Sequence, residues 1–201
     1  MSRHPLLRLP TILLGLTLAL AVAAGVLLWK AGTADLAAGA QSPAAIGGPF
    51  ALTDQDHRTR TNRDFHGRWT LVYFGYTHCP DICPTTLQTI AGALRAMGPQ
   101  ARNFVPVFVS LDPARDSPAV LKTYLAAFGP EFVGLTGTPA QIAQVAREYR
   151  VYYARHDQPG GAYSIDHADT LYLMAPDGSF ASLLDAQESA AALSTQLAAK
   201  L

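Results

Sequence analysis

The sequence predicts an α/β domain, a mixed β-sheet with helices on both faces, preceded by one N-terminal transmembrane helix. Three observations lead there. Strand-like runs alternate with helix-patterned segments between Phe50 and Leu201. Apolar residues make up 49% of the 201 residues, enough for a core without disulfide staples. No residue from Leu9 to Trp29 is charged.

That uncharged stretch is 21 residues long, which at 1.5 Å per residue about matches a ~30 Å hydrocarbon core. Arg3 and Arg8 precede it, and Trp29-Lys30 forms an interfacial end. The excess of positive charge on the cytoplasmic side puts the N-terminus inside and the domain outside. A cleaved signal peptide is the competing reading, with Ala38-Gly39-Ala40 as a cleavage site. The apolar stretch is longer than the usual ~7–15 residues of such a peptide, so a retained anchor is expected. Too few residues precede the span for an amphipathic mitochondrial presequence. The expected place is therefore a bacterial inner membrane, single-pass, with the domain in the oxidising periplasm. Residues 1–30 form the anchor, 31–45 an Ala/Gly/Ser-rich flexible tether, and 46–201 the folded domain.

Within the domain, Phe50–Thr53 and Arg58–Thr61 read as a hairpin around Asp54-Gln55-Asp56-His57. Trp69–Phe74 is a continuous apolar run, a central strand buried on both faces. Pro84–Met97 has a helical apolar face of Leu87, Ile90, Ala91 and Leu94, stopped by Gly98-Pro99. Phe104–Ser110 is a second strand, with Pro106 expected at its start because proline cannot donate to a ladder. Ser117-Pro118 caps and opens a helix to about Phe128. Phe132–Leu135 is a short strand. Thr138-Pro139-Ala140-Gln141 has the form of a capping box for a helix to about Arg150. Extended segments follow at Val151–Tyr153, Tyr163–Ile165 and Thr170–Met174. Pro176-Asp177-Gly178 turns the last of these into Phe180–Leu184, and Gln187–Leu201 is an Ala-rich helix.

Net charge is zero, but its distribution is uneven. All 15 acids and 12 of the 15 basic residues lie from Ala31 onward, which leaves the domain mildly acidic. No basic patch is present, and nucleic acid is excluded as a partner.

The chemistry concentrates at His78-Cys79-Pro80-Asp81-Ile82-Cys83-Pro84, which holds the chain's two cysteines. They follow the central strand at its C-terminal end, where α/β sheets place ligands, and lead into a helix N-terminus that favours thiolate. Asp81 partly opposes that effect. Residues four apart on a helical turn share a face, so both sulfurs can address one point. Three readings stand: a structural disulfide, a redox dithiol, and a metal clamp. A loop this short stabilises by only about 2 kcal/mol as a disulfide, which makes the first the weakest. Two thiolates select copper(I) or zinc but need a third donor.

His167 in Asp166-His167-Ala168-Asp169 is the best candidate for that donor, with an acid on each side to support it. Taken alone, a histidine between extended segments reads first as a surface residue. His78 is nearer in sequence, but a ring beside a ligating cysteine strains to reach the same ion. His4, His57, His66 and His156 read as surface residues. Leu111–Pro118 follows the second strand at the same end of the sheet. It reads first as a turn and helix cap with Arg115 paired to a neighbouring acid, and second as a wall of the site.

Gly75-Tyr76-Thr77-His78-Cys79-Pro80-Asp81-Ile82-Cys83-Pro84, then Leu111-Asp112-Pro113-Ala114-Arg115-Asp116-Ser117-Pro118, then Asp166-His167, resemble in this order the Sco/SenC family. Gly48-Pro49-Phe50, Leu135-Thr136-Gly137 and Pro176-Asp177-Gly178 add to the likeness. The resemblance implies a thioredoxin-like fold and a membrane-anchored copper protein that helps assemble the dinuclear copper centre of cytochrome c oxidase. It also implies that Cys79, Cys83 and His167 bind copper, as Cu(I) or Cu(II). The chain departs from the pattern at Ser117, where threonine is common, and at Ala168-Asp169, where hydroxyl residues are common.

The expected function is a copper metallochaperone, which needs no enzymatic activity. Its expected partners are the copper-site subunit of the oxidase and a copper donor or thiol-disulfide reductant. The alternatives are a thiol-disulfide oxidoreductase acting on the cysteines of that subunit, a copper or redox sensor, and a peroxidase-like enzyme using Thr77 and Arg115. The cysteine spacing is one residue longer than thioredoxin's, and the Trp-Cys-Gly-Pro of that family is missing.

Overall fold

The computed structural model describes residues 22–25, which are helical, and 46–201. The expected anchor and tether lie almost entirely outside these residues. Among the described residues no helix is long and apolar enough to cross a membrane.

Nine strands and four α-helices follow one another in the domain. A hairpin, β1 (Ala51–Asp54) and β2 (Thr59–Thr61), opens it. Then come β3 (Trp69–Gly75), α1 (Ile82–Met97), β4 (Phe104–Ser110), α2 (Pro118–Leu125), β5 (Val133–Thr136) and α3 (Pro139–Glu148). The chain ends with β6 (Tyr153–Asp157), β7 (Tyr163–His167), β8 (Thr170–Met174), β9 (Phe180–Asp185) and α4 (Ala190–Ala198). Seven strands form one mixed sheet in the order β2-β1-β5-β4-β3-β8-β9. β3, β4 and β5 are parallel, and the flanking pairs are antiparallel. β6 and β7 pair only with each other.

The central strands are buried on both faces because neighbouring residues on a strand point to opposite sides. Tyr73 faces α1, where its hydroxyl lies 3.7 Å from the Cys83 sulfur. Phe108, level with Tyr73 on β4, packs on the same face against Tyr124 of α2. Phe74 points the other way and meets Tyr149, which ends α3, at 5.2 Å between rings. Helices therefore cover both faces, as predicted. α4 lies on α1, with Ala190 seated against Gly92.

Local capping explains the helix starts. Ser117 accepts the Val120 amide, Thr138 and Gln141 form the reciprocal capping box, and Ser189 accepts the Ala192 amide. Gly178, at φ +85°, supplies the left-handed turn between β8 and β9.

Five expectations need correction. Helix α1 begins at Ile82 rather than Pro84, which places Cys83 and Pro84 in its first turn, where a missing N–H costs nothing. Helix α2 ends at Leu125, short of Phe128, and α4 begins only at Ala190. Pro106 sits third in β4 instead of at its start. It is tolerated because β5 joins only from Val107 onward, so no ladder bond is asked of Pro106 on that side. Finally, β7 runs through His167, so the histidine ends a strand rather than occupying a loop.

Candidate metal centre

Three structural units deliver the three donors. β3 ends at Gly75, and the chain turns at once, with the Cys79 amide donating to the Tyr76 carbonyl at 3.2 Å. Cys79 thus sits in the turn, and Cys83 sits in the first turn of α1. The Cys83 amide points back to the Cys79 sulfur at 3.4 Å. That is a helix-terminal N–H aimed at a sulfur. The third unit is the β6–β7 hairpin, whose last residue is His167.

The Cys83 sulfur and His167 Nε2 lie 3.4 Å apart, and all three donor atoms fall within 4.8 Å of one another. Among the described residues this is the one cluster of three or more His, Cys, Asp or Glu side chains with that geometry. Donors that share one ion at about 2.0–2.3 Å stand roughly 3.5–4 Å apart, so the cluster fits a single ion with little movement. Two sulfurs and one imidazole suit a soft or borderline cation.

The imidazole is already set for ligation. His167 Nδ1 lies 3.1 Å from the Ala168 carbonyl, which can only accept a hydrogen bond. In the neutral ring Nδ1 therefore carries the proton, and Nε2 presents its lone pair to the sulfurs. Tyr73 and Tyr76 each hold the ring edge-on at 6.1 Å between centroids.

The two cysteines differ. Cys83 is fully buried, whereas Cys79 is slightly open to the cleft lined by Pro80, Ile82, Ile165 and His167. Burial, helped by the neighbouring Cys79, pushes the Cys83 thiol up to about 12. A bound cation would have to displace that proton. Both cysteines are free thiols in the structure.

The segment after β4 walls the site. Asp116, fully buried, accepts the Thr77 amide at 3.0 Å and the hydroxyls of Thr77 and Ser110 at 2.6 Å each. It thereby ties the turn before Cys79 to the end of β4. Asp112 takes the Arg115 guanidinium, as the sequence suggested, and also the Tyr163 hydroxyl at 2.8 Å. Ser117 caps α2. The segment is thus both cap and wall. Thr77 and Arg115, the residues of the peroxidase alternative, are engaged with Asp116 and Asp112 respectively. His78 is half exposed and turns to Thr77 and Asp116, away from the cluster.

Sequence reasoning missed Tyr73 and gave Asp116 no role. A tyrosine inside an otherwise apolar buried strand, two residues before the glycine that ends it, was the available signal for the first. Nothing in the spacing singled out the second. A separate apolar cavity of about 250 Å³, lined by residues such as Phe50, Val107 and Tyr149, contains none of the three donors.

The sequence model described as SCO1/SenC matches residues 38–201. This chain belongs to the SCO1/SenC family. It is 44% identical over 138 residues to the mitochondrial Protein SCO1 homolog 1 of Arabidopsis thaliana, covering 68% of this chain and 41% of that protein. It is 41% identical over 137 residues to the SCO2-like protein of Rickettsia prowazekii, covering 67% of each. The chain spans about half the length of most of the curated relatives it matches. Among solved structures, Bradyrhizobium japonicum ScoI with copper bound superposes with a TM-score of 0.74 at 45% identity, over 78% of this chain and all of that one. The SCO1/SenC likeness and the thioredoxin-like fold expected from the sequence both hold.

Proposed function

We propose that the chain is a copper metallochaperone that carries copper between Cys79, Cys83 and His167 and delivers it to the copper-site subunit of cytochrome c oxidase. The observation that carries this reading is the convergence of two sulfurs and one imidazole nitrogen within 4.8 Å, from segments 84 residues apart in sequence. Two thiolates with one imidazole make a soft donor set suited to Cu(I). Cu(II) favours a tetragonal set and would need a further oxygen or nitrogen. The copper-bound ScoI of Bradyrhizobium japonicum, 45% identical, supports the same cargo here.

Thiol chemistry gates the site. When Cys79 and Cys83 reduce an external disulfide, two protons and two electrons leave them and one S–S bond forms. A disulfide offers no thiolate, so an oxidised protein cannot hold the cation. In this reading residues 1–30 anchor the chain in a bacterial inner membrane, residues 31–45 form the tether, and the domain works in the periplasm with a copper donor or thiol reductant as a further partner.

One observation favours a second reading, a thiol-disulfide reductase acting on the cysteines of the subunit. Cys79 lies at the cleft with an N–H on its sulfur, and Cys83 is buried behind it, an attacking and resolving arrangement. Such an enzyme has no need of His167. The test is His167→Ala in cells, with copper content and oxidase activity both measured. Loss of both supports the chaperone. Oxidase activity that survives without bound copper overturns it in favour of the reductase.

A further inference from the structure

His167 is carried on a hairpin that shares no backbone ladder with the main sheet. The place of its ring relative to Cys79 and Cys83 must therefore be fixed by side chains and by the chain ends of the hairpin. One residue of the main body grips the far end of β7. Arg115 Nη1 donates to the carbonyl of Tyr163 at 3.2 Å, and its guanidinium lies 3.6 Å over the Tyr163 ring. Its Nε donates to Asp112, whose other carboxylate oxygen accepts the Tyr163 hydroxyl at 2.8 Å. Arg155 of β6 lies 3.7 Å from the centre of the same ring. Two guanidiniums this close to one centroid can only lie on opposite faces, so the ring is held between them.

Tyr163 begins β7 and His167 ends it, so a grip on Tyr163 sets the strand on which the imidazole rides. We infer that Arg115, clamped by Asp112, is the positioning residue for His167. The loop from Leu111 to Ser117 then braces both halves of the site. Asp116 holds the turn that precedes Cys79, and Arg115 holds the strand that ends in His167. The guanidinium's planar fork is what the task requires. It must meet a carboxylate, a carbonyl and an aromatic face at once, which a lysine ammonium cannot do. Its Nη2 is buried without a partner, so the remaining contacts alone dictate its pose.

The inference rests on His167 serving as a donor, and its test has an arm that needs no metal. The full chain is prepared as wild type, Arg115→Gln, Arg115→Lys and Tyr163→Phe, each with and without His167→Ala. Cu(I) affinity is measured by competition with a Cu(I) chelator. Partners that orient a ligating histidine typically change affinity 10–100-fold. Arg115→Gln is expected to weaken Cu(I) about tenfold when His167 is present and less than twofold when it is absent. Arg115→Lys gives no rescue, and Tyr163→Phe, which keeps the ring and loses one hydrogen bond, gives about threefold. In the metal-free arm the His167 ring protons are followed by NMR. Tyr73 and Tyr76 shift them by ring currents, and both Arg115→Gln and Tyr163→Phe are expected to move them toward unshifted values. Equal losses with and without His167, or unchanged ring shifts in the folded variants, overturn the inference. A wild type that binds no Cu(I) sinks the copper reading and leaves the ring-shift arm to decide this one. If Arg115→Gln does not fold, Tyr163→Phe decides both arms.

Discussion

The Cys83 sulfur lies 3.4 Å from His167 Nε2, although 84 residues separate them. The sulfur comes from the buried face of the first turn of α1 and the nitrogen from the end of a satellite hairpin. The site therefore joins a rigid half to a separately held half, and each half makes its own predictions.

The reactivity of Cys83 should follow its raised pKa. Burial favours the neutral thiol, so the folded protein holds the proton up to about pH 12. Between pH 7 and 9 the thiolate fraction then rises about tenfold per unit without levelling off. Iodoacetamide labelling of the reduced, metal-free protein, resolved by peptide mass mapping, should show this slope at Cys83. The rate at pH 9 should be at least about a hundredfold below that of the urea-unfolded chain. A plateau below pH 9 would contradict the burial argument.

Gly75 makes room for Cys83. A Cβ at this position would stand 2.8 Å from the Cys83 sulfur and 2.9 Å from Phe108. Phe108 is fixed in the sheet, so the displaced atom is the sulfur. Gly75→Ala should cost about 1–3 kcal/mol in urea denaturation. It should also weaken Cu(I) binding by more than tenfold. Retained affinity alongside lowered stability would show that α1 shifts as a unit instead.

Asp116 should stabilise the turn before the cysteines. Its carboxylate takes three hydrogen bonds in a fully buried place, two of them from Thr77. Asp116→Ala leaves the Thr77 amide and two hydroxyls without that acceptor, an expected loss of about 2–4 kcal/mol. Amide exchange at Thr77 should accelerate by more than the global loss of stability explains. Exchange that only tracks global unfolding would remove the local role.

Asp54 gives the domain a dependence on acid. Burial would raise its carboxyl, but hydrogen bonds from the Arg58 amide, the Arg60 guanidinium and the Asp56 amide more than offset this and hold it below the ordinary 3.8. A lowered pKa in the folded state means stability that is present above about pH 4 and lost as pH falls through the folded value. Wild type should exceed Asp54→Asn by about 2 kcal/mol at pH 6. The gap should shrink between pH 4 and 3 in urea titrations.

The elements with local signals were readable. The polar turn Asp54-Gln55-Asp56-His57 between two short runs marked the first hairpin, the continuous apolar run marked β3, and Ser117, Thr138 and Gln141 announced their helices through caps that act within four residues. The two cysteines were readable for the same reason, since their spacing is local. What escaped was long-range. No periodicity tells a strand which partner it takes, so β6–β7 could not be told from two more members of the main sheet. Arg115 could be paired with an acid three residues away, but not with Tyr163, 48 residues on. His167 looked like a surface residue until the family pattern named it. Its conversion into a donor needed Tyr73, Tyr76 and Ala168 around it, and only the fold supplies those.

A donor on a separate two-stranded unit has a mechanical meaning. Swinging β6–β7 outward breaks no rung of the seven-stranded sheet, and what it uncovers is Ile165 and the sides of Tyr73, Tyr76 and Cys83 that His167 covers. Moving the imidazole thus costs the Arg115–Tyr163 clamp, the burial of Ile165 and the ring contacts of His167, but no ladder of the main sheet. The sulfurs, seated on the main body, stay where they are. Of the three candidate donors, two are posts on the main body and the third is hung on a separate frame.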